Sequence, residues 1–333
     1  MGQVLSVSSR ALVAACRKRG VDVEVLIKSA GLTKEKIYNP DARISVHQMA
    51  ELWRQAYALS GDENLSLHVA ESLDAGAYRI IDFLAGHSAT VGEALSKVSD
   101  YSPLINTSIY LLIDYDNECV NFRLETNDGS SISRAYAEYF FAACYLRVAQ
   151  IVGDFKPEMI EFSHPAPKEI SEHQRIFRCP VYFEKEGLRM VISKNVWQQK
   201  SVNSNPALFS VLDQHAQMLL SELQEPVSIL YKVRKAIIGE LSGGNPCLEW
   251  VSKKMGVSTR TLQRRLHEQS TSFGNILEEM REFMAKNYLE DQRVSIVEVA
   301  FLLGFSEQSS FQRAFKRWTG LTPLQYRQTL KES

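Results

Sequence analysis

The sequence of 333 residues is short of everything that would anchor, cross-link or metallate a chain. No apolar run approaches the roughly 20 residues a bilayer span needs, and the N-terminus has no charged-then-apolar leader. MGQVLS fits the loose pattern for acylation at Gly2, but six residues of such low specificity are read as coincidence. The five cysteines (Cys16, Cys119, Cys144, Cys179, Cys247) are odd in number and scattered, with no Cys-x-x-Cys pair. Neither a disulfide framework nor a zinc site is expected, and a reducing, cytoplasmic compartment fits. Seven scattered histidines and no local nucleophile-base motif leave nothing to build a catalytic centre on. No catalytic residue, metal or cofactor is assigned, and the chain is read as a non-enzyme.

Net charge is also nearly absent, at −1, but that balance conceals an asymmetry. Residues 230–333 hold 16 Lys and Arg against 11 Asp and Glu, a net of +5, and the rest holds 22 against 28, a net of −6. One end is suited to a polyanion and the other is not. The length exceeds the usual size of a single core, so two domains are expected.

The first hundred residues read as short amphipathic helices. In ISVHQMAELWRQAYAL (44–59) Ser45 is a cap, and Val46, Met49, Leu52, Trp53 and Ala56 recur at helical spacing. In TVGEALSKVSDY (90–101) Thr90 and Glu93 form the pattern of a capping box. The period then falls to two. SIYLLIDY (108–115), a turn at Asp116-Asn117 and CVNFRLET (119–126) predict a hairpin whose Val120, Phe122 and Leu124 face the core, opposite Asn121, Arg123 and Glu125. A buried helix is predicted over 134–152 with Gly153 ending it, then strands at 158–162, 181–183 and 188–193. A long helix follows through Leu208, Leu212, Met218, Leu219 and Leu223. Pro226 marks the domain boundary.

Beyond that boundary one pattern occurs twice. CLEWVSKKMGVS (247–258) aligns with SIVEVAFLLGFS (295–306) at an offset of 48, Gly256 on Gly304 and Ser258 on Ser306. Each copy is a short helix running into a glycine, followed by a serine placed to cap a second helix, which is a helix-turn-helix design. With Leu262 and Leu266 turned inward at 100° per residue, Arg260, Gln263, Arg264 and His267 point out. With Phe311, Phe315 and Trp318 inward, Ser309, Gln312, Arg313 and Lys316 point out. Arg and Gln make bidentate contacts to guanine and adenine edges in the major groove. One such hairpin with solvated polar residues is commonplace; two, with groove-reading side chains outward in the basic part of the chain, point to DNA. Between them SFGNILEEMREFMAKNYLED (272–291) repeats Phe273, Ile276, Leu277, Met280, Met284 and Tyr288 every three or four positions, a rigid helical strut.

Residues 227–333, and above all LGFSEQSSFQRAFKRWTGLTPLQYR (303–327), resemble the DNA-binding domain of the AraC/XylS family of bacterial transcription regulators. The resemblance implies seven helices, with both recognition helices in successive major grooves. By matching position it implies base contacts from Arg260, Gln263, Arg264, Gln308, Ser309, Gln312 and Arg313. Backbone contacts are expected from Ser258, Thr259, Ser306, Lys316 and Thr322, the last at a helix start whose exposed amides suit an anion. AYRIIDFLAGHSATVGEAL (77–95) and residues 160–193 resemble the regulatory domain of the family branch that includes ornithine-utilisation regulators. Asp82 and Arg178 stand where relatives often have small residues.

The expected architecture is therefore an α+β regulatory, effector-sensing domain (1–200), a connecting helix and linker (201–226), and an all-α DNA-binding domain with two helix-turn-helix units joined by a linker helix (227–333). The expected partners are promoter DNA, a small-molecule effector, a second copy of the chain through the helix at 206–225 or the first domain, and, by resemblance, RNA polymerase. Resemblance also favours activation over repression and places the chain on the nucleoid when bound. Asp82, His87, Glu138 and Arg147, polar residues in apolar surroundings, are the effector-pocket candidates; a mutual ion pair or backbone hydrogen bonds would also account for them. The competing reading is an effector-free architectural DNA binder, but such chains are small and basic throughout.

Overall fold

The computed structural model describes residues 2–74, 76–115, 118–223, 229–241, 246–290, 294–305 and 307–332. Its contacts form two compact units, residues 1–113 with 118–225 and residues 226–333 with 114–117. Pro226 and the Asp116-Asn117 turn lie outside the described residues.

The first unit opens with β1 (Gln3–Leu5), α1 (Ser6–Lys18), α2 (Val23–Ser29) and α3 (Lys34–Tyr38). Next β2 (Arg43–Ser45) pairs antiparallel with β1, and α4 (Val46–Ser60), α5 (Leu65–Glu71), α6 (Ile80–His87) and α7 (Val91–Ile105) follow. The remainder comprises β3 (Ile109–Tyr115), β4 (Cys119–Thr126), α8 (Arg134–Val152), β5 (Met159–Glu161), α9 (Ser171–Phe177), β6 (Val181–Tyr182), β7 (Arg189–Ser193), α10 (Lys194–Trp197) and α11 (Pro206–Ser221). The five-stranded sheet has the order β3-β4-β7-β5-β6, antiparallel at β4/β7 and β5/β7 and parallel at β5/β6. Phe122 sits opposite Met190 and Val120 opposite Ile192.

Local chemistry explains most boundaries. Ser45 and Gln48 exchange hydrogen bonds in a complete capping box at α4, and Gly153, at φ 96°, ends α8. Thr90 caps α7 by accepting from the Glu93 amide, but the box is only half made: the Glu93 carboxylate accepts from the Ala89 amide instead. Val46, predicted on the inner stripe of α4, is exposed, while Met49, Leu52, Trp53 and Ala56 are buried. A second correction concerns β4. Asn121 and Arg123 are buried as fully as Val120, Phe122 and Leu124, so the alternation there does not separate core from solvent.

Helix α8 is the spine of this unit, packing against α5, α6, α7 and α9. Its Phe141 meets Phe162 edge-on at 6.0 Å, and its Tyr145 meets Phe155 at 5.3 Å and Phe177 at 6.3 Å. Helix α11 packs on α6 and α7, where Ala216 is buried with Ile81, Leu84, Tyr101 and Leu104. The Asp213 carboxylate fixes it by accepting from Lys97 and from the Tyr101 hydroxyl, both at 2.7 Å. Its expected single apolar stripe is divided: Leu212 and Leu219 pack inward, whereas Leu208, Val211 and Met218 are exposed. Burial pushes the thiols of Cys16 and Cys179 up to about 11 and that of Cys144 up to about 12, while Cys247 is exposed.

Among the described residues the second unit contains seven helices: α12 (Ile229–Leu241), α13 (Leu248–Lys254), α14 (Thr259–Glu268), α15 (Phe273–Glu290), α16 (Ile296–Leu302), α17 (Gln308–Thr319) and α18 (Pro323–Glu332). No helix among the described residues is long and apolar enough to cross a membrane.

One close approach makes a test of this packing. A Cβ on Gly92, in the first turn of α7, would lie 2.3 Å from Nε1 and 2.4 Å from Cε2 of Trp197. The rigid indole cannot yield as a flexible chain end would. Gly92→Ala is expected to destabilise the first unit by about 1–3 kcal/mol, read as a lowered midpoint in urea denaturation.

Candidate nucleic-acid interface

The two repeated modules begin alike. Helices α13 and α16, seven residues each, run into Gly256 at φ 65° and Gly304 at φ 71°, left-handed conformations that an L side chain rarely adopts. Ser258 then caps α14, its hydroxyl accepting from the Thr261 amide at 3.1 Å. The second module departs from the copy. Ser306 lies outside the described residues, and α17 starts one residue later than the offset predicts, with Glu307 at the N-cap making no side-chain cap bond. The Glu307 carboxylate accepts from the Ser309 hydroxyl at 3.1 Å instead.

The second helices present the faces that the spacing predicts. On α14, Leu262 and Leu266 are fully buried, and Arg260, Gln263, Arg264 and His267 are exposed. On α17, Phe311 and Phe315 are fully buried, Trp318 is half-buried, and Ser309, Gln312, Arg313 and Lys316 are exposed. Gln308, at the first position of α17, is half-buried. The exposed Arg264 donates to Glu268 at 3.2 Å and Arg313 to the Ser310 hydroxyl at 3.3 Å. Such surface contacts are worth little, so both guanidinium groups can be redirected to a base edge at small cost.

Thr259 is half-buried and Lys316 exposed. At the start of α18, the free amides expected of an anion site are occupied. The Thr322 amide donates to Gln325 Oε1 at 2.9 Å, the Gln325 amide donates to Thr322 Oγ1 at 3.3 Å, and Pro323 has no N–H.

The strut α15 holds the modules. Ile276, Met280, Met284, Tyr288 and Leu289 are buried, and the helix packs against α12, α16, α17 and α18, while α12 packs against α13 and α14. Polar side chains outside the apolar stripe do much of the fixing. Arg281 of α15 donates through Nε to the Leu303 carbonyl at 2.9 Å and through Nη2 to the Gly304 carbonyl at 3.4 Å, and its guanidinium carbon lies 4.7 Å from the Phe305 ring centre. It thus clamps the turn that aims α17. Arg317 on α17 pairs with Glu278 on α15 at 2.6 Å, and the buried Arg327 of α18 donates to the Leu289 carbonyl at 3.1 Å and to the Val294 carbonyl. The only sequence signal for Arg281 is its place beside Met280 and one turn before Met284, at the margin of the apolar stripe.

In the first unit the effector candidates fall into two groups. Arg147 donates to Asp82 at 3.0 Å, both side chains buried, and the two share walls with a carbon-lined cavity and with an outer cleft that also touches His87. Glu138 lines neither. It is fully buried and accepts from Ser66 at 2.6 Å, from Arg134 at 2.9 Å and from His173 Nε2 at 2.8 Å. Burial alone would raise its pKa; the hydrogen bond and charge of His173, with Ser66 and Arg134, more than offset that and hold it below the ordinary 4.5. His164 donates to no partner through Nε2, and its Nδ1 bonds the Pro165 carbonyl at 3.0 Å. Arg178 stands away from both spaces, at φ 56° in the C-cap of α9, paired with Asp154 at 2.8 Å on the surface. One His and carboxylate cluster, His68 with Glu71 and Glu172, has ligand atoms within 4.8 Å of one another. Arg175 already supplies its cation, donating to Glu71 at 2.6 Å and to Glu172 at 2.7 Å.

Known proteins are similar to both parts of this chain. Residues 20–201 match the family model described as the arabinose-binding domain of AraC transcription regulator, N-terminal, and residues 251–329 match a helix-turn-helix domain. The chain is similar to the ornithine utilization regulator of Pseudomonas aeruginosa, 26% identical over 322 residues, which is 96% of this chain and 95% of that protein. It is also similar to the HTH-type transcriptional regulator VqsM of the same organism, 24% identical over 290 residues, 83% of this chain and 86% of that one. Among solved structures, the transcriptional regulator CdpR from P. aeruginosa is 22% identical, covering 92% of this chain and 96% of its own, at a TM-score of 0.41.

Two expectations follow from these contacts. Arg281→Ala removes charge-assisted bonds to the second turn and should cost about 1.5–3 kcal/mol in urea stability of the second unit, weakening DNA affinity without altering base preference. Glu138→Gln removes the buried carboxylate that accepts from Ser66, Arg134 and His173 and should cost about 1–3 kcal/mol at neutral pH. Because the folded pKa of Glu138 is depressed, its contribution is present above the ordinary carboxylate value and is lost as pH falls through the folded one. Melting curves taken from neutral to acid pH should therefore converge for wild type and Glu138→Gln.

Proposed function

The chain belongs to the AraC family of transcription regulators, and from that premise we propose that it binds promoter DNA through both α14 and α17, each in one of two successive major grooves. The chain is a transcription regulator with a helix-turn-helix DNA-binding domain and an arabinose-binding-like domain. The observation that carries the finer reading is duplication with direction: each module buries its apolar side on the second unit and leaves Arg and Gln exposed on the other. The helix α15 of 18 residues spans roughly 27 Å, a spacer of the order of one DNA turn, roughly 34 Å.

In this reading Arg260, Gln263 and Arg264 of α14, and Gln308, Ser309, Gln312 and Arg313 of α17, meet base edges. The exposed Lys316 and the helix start at Ser258 and Thr259, with Ser306, meet phosphates. Residues 1–200 form the regulatory domain, answering a small molecule at the walls that Asp82, His87 and Arg147 share; 201–226 connect, and 227–333 bind DNA. Pairing of two copies through the exposed Leu208, Val211 and Met218 of α11, and activation through RNA polymerase in the cytoplasm, complete the proposal.

The test is by substitution. Arg264→Ala and Arg313→Ala should each cost about 1–3 kcal/mol in binding to the promoter site found by footprinting, and each should relax preference at a single base position. Mobility-shift titrations showing undiminished affinity and preference in both variants would remove the assignment of these faces.

A further inference from the structure

Arg147 of α8 stands in a wall between two spaces in the first unit. Its guanidinium donates to Asp82 at 3.0 Å and to Gln150 at 2.8 Å, and its Nε is buried with no hydrogen-bond partner. A spare buried donor on a charged group is costly to leave unmade. Inward of the wall lies a cavity lined chiefly by carbon, with the paired hydroxyls of Tyr78 and Tyr139 among its few polar groups. Outward lies a cleft of about 500 Å³ between α6, α8 and residues 202–205. Two large apolar side chains on that cleft, Phe83 and Val202, are 54% and 81% exposed.

Each feature restricts what fits. A guanidinium with one donor unmet matches a planar carboxylate, which can share or displace the internal Asp82. Phe83 and Val202 offer contact to an apolar body, and a cleft of this size suits a small ligand. The other charged or titratable group on the cleft is His87, whose Nδ1 lies 3.3 Å from the Asn203 carbonyl. The remaining walls are amide and hydroxyl groups of Gln150, Asn203, Ser204 and Asn205.

We propose that this cleft binds a compact carboxylate with an apolar body, the carboxylate on Arg147 and the body against Phe83 and Val202. The proposal rests on the reading of the first unit as effector-responsive and names the class of effector. It also names the element that responds. Asn205 caps α11, accepting from the Leu208 amide at 3.1 Å, while its own amide donates to the His87 carbonyl at 3.2 Å. A ligand seated against residues 202–205 therefore presses on the start of α11.

The experiment uses the full chain and calorimetric titration with phenylacetate and hexanoate, against phenylacetamide and hexanamide. The acids should bind at millimolar concentration or below and the amides at least about tenfold more weakly, a difference of about 1.4 kcal/mol or more. Asp82→Asn removes the internal competitor and should tighten both acids without rescuing the amides. Adding Arg147→Gln to that variant, which removes both buried charges together, should abolish acid binding. Hydrogen exchange at residues 202–209 should slow with phenylacetate. Acids and amides binding alike, acid binding that survives the double substitution, absence of acid binding to wild type and Asp82→Asn, or unchanged exchange would each overturn the proposal. Promoter binding by the same preparations separates the two readings: its loss sinks the DNA assignment, and its retention without carboxylate binding sinks only this one.

Discussion

A helix can read a groove only if something other than itself holds it still. In the second unit that constraint is met by the apolar stripe of α15, where Ile276, Met280, Met284 and Tyr288 are buried against helices that in turn carry both modules. Exposure of Arg264 and Arg313 follows from it. Because Leu262, Leu266, Phe311 and Phe315 are committed to the core, the opposite faces of α14 and α17 have no choice of direction. The modules are held by different means. Leu262 and Leu266 anchor the first, while the second adds a chain of rings, Phe305, Phe311, Phe315 and Tyr326, spaced 5.4–5.7 Å, and the Arg281 clamp.

In the first unit the same demand falls on α8, but the solution is electrostatic as well as apolar. A helix buried on nearly every side still carries Arg134, Glu138 and Arg147: Arg134 pairs with Glu138 one turn on in the same helix, His173 from α9 hydrogen-bonds Glu138, and Asp82 from α6 pairs with Arg147. Buried pairs of this kind add little to stability over well-packed carbon, but breaking one is expensive. They fix which helices lie beside α8. Both leave a buried nitrogen without a hydrogen-bond partner, Nδ1 of His173 and Nε of Arg147, and the pair with Arg147 borders the two spaces.

The duplicated modules were readable because both signals are short-range: a glycine relieving a left-handed turn, and apolar residues at helical spacing. The strand segments and α8 were readable for the same reason. What escaped were the long-range partners. Arg281, to which the spacing assigns no role, donates to a turn 22 residues away. Asn121 and Arg123 alternate as solvent-facing residues do, yet are buried, since period two describes the pleat and says nothing about what covers the second face. Glu93, three residues after Thr90, should have closed a capping box; its carboxylate accepts from the Ala89 amide, one residue before the cap. At α18 the converse occurred, Gln325 closing a box over amides expected to be free. Asp82 and Arg147 were recognisable as misfits in apolar sequence, with a mutual ion pair as one account of them; which of the four candidates pair is set by the packing of α6 on α8, which joins these two across 65 residues of chain.

The burial of three cysteines decides how this regulator meets thiol chemistry. With pKa values near 11 and 12, Cys16, Cys144 and Cys179 carry almost no thiolate at neutral pH and are shielded by their neighbours, so peroxide or an alkylating reagent finds little to attack there. Cys247 is exposed to solvent at the N-cap of α13. A maleimide dye offered to the native chain would favour that position, giving a reporter one helix away from α14 without engineering the sequence.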